Sequence, residues 1–378
     1  MIRLLTSGES HGPCLVAIID GFPAGVEIDR DTIVRDLARR QRGYGRGGRM
    51  QIERDRASIL SGVIRGQTTG APIALQIPNR DWENWQALWA SESLPSVTVP
   101  RPGHADFAGM MKFGFSDARP ILERASARET AARVAAGSLA KQLLAVFGVQ
   151  VGSYVTSIGT AEADLPNESQ VRLAALAEES PVRCPDSESA RLMMAAIDQA
   201  RTDGDALGGV FVVAATGQII GLGSYTQWDR RLDAQLASAA LSIPGVKGVE
   251  IGPAFENAKL LSTQVQDGFV VDPDGQIQRS ANRAGGVEGG VSNGEPIVVR
   301  MAMKPIPTTR AAQASADLIE RRAATSRYQR SDTCAVAAAS IVGEAMVAWT
   351  IAGAVCEKLG GDSVSEMIRH QEMGKHDV

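Results

Sequence analysis

The chain has 378 residues, of which 44% are hydrophobic and 22% charged, and its formal net charge is -4. This balance excludes a disordered or fibrous chain, and the mild acidity gives no overall attraction to nucleic acid or to an anionic membrane. The length suffices for one large core or two ordinary ones. In chain order, residues 1–6 read as a strand. Residues 29–43 read as a helix with Ile33, Val34 and Leu37 on one face and Gly43 as its stop. Residues 59–64 and 72–77 read as strands. Trp82, Trp85 and Trp89 have helical spacing and suit packing or a subunit contact. Ser126-Ala127-Arg128-Glu129 reads as a capping box opening a helix to about Phe147, closed by Gly148. Helix 191–201 and strand 209–215 follow. A hairpin is predicted around Asp272-Pro273-Asp274-Gly275, then a strand over 296–304 and a long small-residue helix starting at Asp332.

No repeat, low-complexity linker or domain boundary interrupts this pattern, so residues 1–378 read as a single domain with a flexible tail from about residue 360. Interleaved strands and helices with hairpin joins favour a layered α+β fold over a doubly wound sheet. Residues 333–356 are apolar enough to mimic a membrane span, but Glu344 near the centre would be costly there. A buried helix at a core or subunit contact is expected instead. Cys14, Cys184, Cys334 and Cys356 have neither CxxC nor zinc spacing. They read as buried thiols of a reducing, cytoplasmic compartment, and the N-terminus lacks the apolar length of a signal peptide.

Two of the four histidines lie in glycine-flanked loops, Gly8-Glu9-Ser10-His11-Gly12 and Arg101-Pro102-Gly103-His104-Ala105-Asp106. Either alone would be an ordinary turn residue. Together, beside arginine clusters at 39–56, 119–133 and 321–330, they point to proton transfer next to a small anion. Gly43-Tyr44-Gly45-Arg46-Gly47-Gly48 fits G-x-G-x-x-G, but a helix precedes it and a strand-like Met50-Gln51-Ile52 follows. That inverts the dinucleotide-binding context, and the loop reads instead as an arginine-studded flap. Arg124-Ala125-Ser126-Ala127-Arg128-Glu129-Thr130 places cations and hydroxyls at a helix N-terminus, where anions are favoured. Residues 285–294 form a glycine-dense loop suited to a flat ligand. Lys304-Pro305-Ile306-Pro307-Thr308-Thr309 adds a cation and hydroxyls at a strand end. Arg330-Ser331-Asp332 has the look of an N-cap.

Taken in order, these blocks resemble the chorismate synthase family from about residue 3 to residue 358. The resemblance implies a β-α-β sandwich, a homotetramer, bound reduced FMN with NADPH as a possible reductant, and elimination of phosphate from 5-enolpyruvylshikimate 3-phosphate to give chorismate. It implies that His11 protonates the reduced flavin, that His104 is the acid at the leaving phosphate, and that Asp332 assists removal of the ring proton. It assigns the flavin to Arg124, Ala125, Ser126, Pro244, Gly245, Gly289, Lys304, Pro305, Ile306, Pro307, Thr308 and Arg330. Arg40, Arg46, Arg49 and Arg128 are assigned to the substrate or NADP anions; no metal is implied. Two departures stand out: Pro244-Gly245 replaces the Asn-Ala of many members, and Ala125 replaces a Ser. The rival readings are an NAD(P)H-dependent flavin reductase and a non-catalytic FMN-binding protein.

Overall fold

Two antiparallel sheets enclose a layer of helices. In the computed structural model, which describes residues 2–48, 53–91, 94–217, 219–326 and 332–374, the first sheet orders Arg3–Ser7, Cys14–Asp20, Ile73–Pro78 and Ser58–Ser61. The second orders Val246–Ile251, Ile297–Met303, Gly209–Thr216, Gln150–Ile158 and Ala161–Glu162. Alternation builds the first sheet: Leu15, Ala17 and Ile19 are buried on one face, opposite Ile73, Leu75 and Ile77.

The helix Thr130–Val146 packs against the first sheet and against the long helix Val336–Leu359, which in turn covers the second sheet. This sheet–helix–sheet order is the sandwich expected. The long apolar helix is buried in the middle of it, with Glu344 fully enclosed. Among the described residues it is the one helix long and apolar enough to cross a membrane; its burial explains that composition.

The two central helices touch because Gly137 has no side chain. A Cβ there would lie 2.4 Å from Ala345 Cβ and 2.8 Å from Ala345 O. Gly137→Ala should therefore force the helices apart and cost about 1–3 kcal/mol, the usual penalty of overpacking. An unchanged urea midpoint would refute that close approach.

Three local expectations need correction. Ser126 does accept from a backbone N–H, that of Arg128, but over a short 3-10 turn, Ala127–Glu129; the helix proper starts at Thr130. Glu129 does not close a capping box, because Thr6 and Arg133 take its carboxylate. Asp332 is no N-cap: the long helix starts at Val336, which leaves the Asp332 side chain for another partner. The expected flexible tail contains a helix, Val364–Met373, with a true Ser363/Glu366 capping box and Met367 buried on the core.

Candidate active site

The His11 turn links the first two strands. Ser10 N–H donates to Glu123 O at 3.1 Å, and His11 N–H donates to Glu123 Oε2 at 2.8 Å. His11 Nδ1 lies 2.9 Å and 3.0 Å from the two Glu123 carboxylate oxygens. Glu123 is 2% exposed, so a buried carboxylate fixes this ring. Trp85 stacks on it, with centroids 4.2 Å apart, and Arg119 lies 5.8 Å over the same indole. The tryptophan stripe, read from sequence as packing or a subunit contact, thus supplies one wall of the histidine site.

Behind that turn lies a buried group of guanidinium ions. Asn79 joins Glu9 O and Gly12 O to Arg128 Nε. Arg128 Nη1 donates to Asp55 at 2.6 Å, and Arg40 meets the other Asp55 oxygen at 3.5 Å. Arg40 also donates to Thr130 Oγ1 and Ala127 O. Burial, with Arg128 and Arg46 nearby, pulls the Arg40 guanidinium down to about 10 despite Asp55 and Asp332. Arg46 pairs with Asp332 at 2.8 Å, and Gly47 N–H donates to the other Asp332 oxygen at 2.7 Å. The Gly43–Gly48 loop, read from the sequence as an arginine-studded flap, therefore caps Asp332. Arg124 is exposed and donates to Thr6 O and Thr6 Oγ1, beside the His11 turn, with Ala125 and Ser126 next to it in sequence. Arg49 and Arg330 lie outside the described residues.

His104 forms a second group. Its Nδ1 lies 2.5 Å from Asp106 Oδ1, and Arg101 donates to the same carboxylate through Nε and Nη2. Burial alone would raise the Asp106 carboxyl; the bonds from His104 and Arg101 outweigh it and hold the group well below the ordinary carboxylate range. Lys304 Nζ donates to Gly103 O at 2.6 Å, so the loop continuing through Pro305, Ile306, Pro307 and Thr308 abuts the His104 turn. Lys304 N–H donates to Gly245 O. Gly245, at φ +86° after Pro244, is thus tied to this group through its backbone. A cavity of about 370 Å³ opens here, lined by Pro100, Pro102, His104, Phe107 and Ala314 among others. Gly289 turns a separate hairpin between Val287–Glu288 and Val291–Ser292. Among the described contacts, none joins it to either histidine group.

The two groups meet through short helices. Arg119–Arg124 carries Glu123, Asp106–Phe113 carries Asp106, and Ile121 of the first packs where Gly109 of the second leaves no room for a Cβ. Sequence reasoning missed Glu123, Asp55 and Asn79 as site residues. Asp106, two positions from His104, was visible but given no role; nothing local couples residue 11 to residue 123.

Chemically, this arrangement suits an enzyme that moves protons beside a bound anion. A family profile described as chorismate synthase matches residues 2–356. A protein named chorismate synthase from Chlorobaculum tepidum (strain TLS) is 52% identical over 99% of this chain and 97% of its own length. Another from Desulforudis audaxviator is 53% identical over 97% of this chain and 96% of its own. A solved structure described as a crystal structure of chorismate synthase superposes with a TM-score of 0.81 at 41% identity, covering 99% of this chain and 97% of that one. The chain belongs to the chorismate synthase family and is a carbon–oxygen lyase acting on a phosphate ester.

Charge-assisted bonds to phosphate are worth about 1.5–3 kcal/mol each, so Arg46→Ala should raise the substrate or cofactor requirement at least tenfold. Arg201, outside every motif, makes a poor control, because its guanidinium lies over the ring of Tyr44 in the same loop. Arg191, exposed and paired with Glu188 on its own helix, is the better one. Equal losses for Arg46→Ala and Arg191→Ala in steady-state kinetics would overturn the anion-site assignment.

Proposed function

We propose that this chain performs the anti-1,4-elimination of phosphate from 5-enolpyruvylshikimate 3-phosphate to give chorismate, with reduced FMN as cofactor and no net redox change. The observation that carries the reading is the matched pair of histidines, each with Nδ1 committed to a buried carboxylate. That commitment sets the tautomer and orients Nε2 as the atom that exchanges a proton.

The residues present fit a phosphorylated planar cofactor. Among the described residues Arg46 Nε is buried with no hydrogen-bond partner, an arrangement that an added anion would relieve, and Arg128 Nη2 has only Glu53 Oε2, 3.6 Å away. Reduced FMN, when bound, would supply transient electron density to the substrate. His11, steadied by Glu123 and Trp85, would hold the proton at the cofactor. His104, steadied by Asp106, would donate one to the departing phosphate oxygen. Asp332 would assist loss of the ring proton, held in place by Arg46 and the Gly47 N–H. Arg40 and Arg128 would meet the substrate's anionic groups, and Arg124 with the Lys304–Thr308 loop the cofactor.

An anaerobic assay with chemically reduced FMN tests the reading: phosphate and chorismate should appear in equal amounts. Oxidation of NADPH without product would favour the flavin-reductase reading, and NADPH supporting turnover by itself would add that activity.

We further propose a cytoplasmic homotetramer. The surface expected to drive assembly is used up inside the chain, since the long helix is core and Trp85 faces His11. Other apolar side chains remain exposed, among them Phe255, Leu261, Phe269 and Ile277. Light scattering should give four chain masses; a monodisperse monomer at micromolar concentration would refute it. The four free cysteines accord with a reducing compartment.

A further inference from the structure

We infer that Asn79 is a positioning residue that ties the His11 turn to the buried arginines. It follows directly on the strand Ile73–Pro78 and is 4% exposed. Its two ends do different work. Nδ2 donates to Glu9 O at 3.1 Å and to Gly12 O at 2.8 Å, the two carbonyls that bracket His11. Oδ1 accepts from Arg128 Nε at 2.8 Å. Two carbonyls demand a donor and a guanidinium demands an acceptor, so the partners dictate which way the amide points. The backbone of Asn79 is held too, through Pro13 O and Trp82 N–H.

The consequence is a short rigid connection. Arg128 spends Nε on Asn79 and Nη1 on Asp55, and its buried Nη2 makes no hydrogen bond, having only the ion-pair contact with Glu53 Oε2 at 3.6 Å. An anion drawn to the Arg128 guanidinium, in competition with Glu53, would lie one residue from Asn79, and Asn79 lies directly on the His11 turn. The amide thereby sets the distance between the bound anion and the proton carried by His11. A displacement of about 1 Å in such a geometry can cost on the order of 100-fold in rate. The inference rests on the proposed reading of Arg128 as an anion ligand.

Two variants separate the two ends. Asn79→Ala removes both. Asn79→Asp keeps the acceptor for Arg128 and turns the donor into a second acceptor facing two carbonyls. Both should lower kcat by about 10–100-fold, and Asn79→Asp should hold KM within threefold of the native value. With four histidines in the chain, isotope-labelled histidine NMR gives an independent readout. Both variants should shift or broaden the His11 ring signal and leave those of His104 and His370 in place. A His11 signal unmoved in both variants, or a kcat restored by Asn79→Asp, would overturn the inference. Displacement of all histidine signals together would make Asn79 a mere fold staple and overturn it equally. Should the native enzyme release no phosphate, the proposed reaction fails, whereas the NMR comparison still decides the role of Asn79.

Discussion

His11→Ala and His104→Ala should each lower turnover by roughly 10²–10⁴, the usual contribution of a positioned acid or base, and they should fail differently. His11 is held by Glu123 and covered by Trp85, while His104 is held by Asp106 and Arg101 in a separate cavity. Loss of His11 should shift the absorbance of bound reduced FMN in the ternary complex. Loss of His104 should leave that spectrum nearly native and slow phosphate release. Each ring sits in a turn at the edge of the core, so circular dichroism and melting should stay close to native. Identical spectral changes in the two variants, or native turnover in either, would dismantle the division of labour.

Glu344→Ala should be strongly destabilising. Glu344 is fully buried on the long helix, where it accepts from Arg39, Lys141, Arg183 and Ser153. Asp36 and Glu178 complete the cluster. Removing one partner of a buried ionic group strands the rest, at about 3–5 kcal/mol. Burial alone would raise the Glu344 carboxyl, but Lys141, Arg39 and Arg183 together hold it far below its ordinary 4.5. A carboxylate depressed in the folded state contributes stability that is fully present above its unfolded value. That stability is lost as pH falls through the folded value. The native protein should therefore lose stability progressively below about pH 4.5, and Glu344→Ala, already weak at neutral pH, should show a shallower acid limb. Urea midpoints measured from pH 7 to pH 3 would decide this. Parallel acid limbs would show that Glu344 is not what titrates.

Local pattern was enough for the elements and their chemistry. The strand read over 72–77, the hairpin signal at Asp272–Gly275 and the small-residue helix read over 333–356 reappear as Ile73–Pro78, a hairpin and Val336–Leu359, whereas the strand Cys14–Asp20 was not read from the sequence. The histidine turns and arginine clusters were legible because catalysis needs rare residue types in open backbone, and composition reveals rarity. The Glu129 half of the capping box and the Asp332 cap were misread for a related reason. Ser, Asp and Glu near a helix start satisfy the local rule equally well whether they cap it or serve a distant partner. Only the tertiary structure decided that Glu129 belongs to Thr6 and Arg133, and Asp332 to Arg46.

What the sequence by itself determined, then, is which residues can carry protons and bind anions, since that follows from side-chain chemistry and short-range backbone freedom. What only the tertiary structure decided is who holds them. Glu123 meets His11 across 112 positions, Asn79 reaches the same turn across 67, and Glu344 reaches Arg39 across 305. Such pairs arise when sheets and helices pack and must satisfy every charge they bury, a condition imposed by the enclosed volume and invisible to any local window.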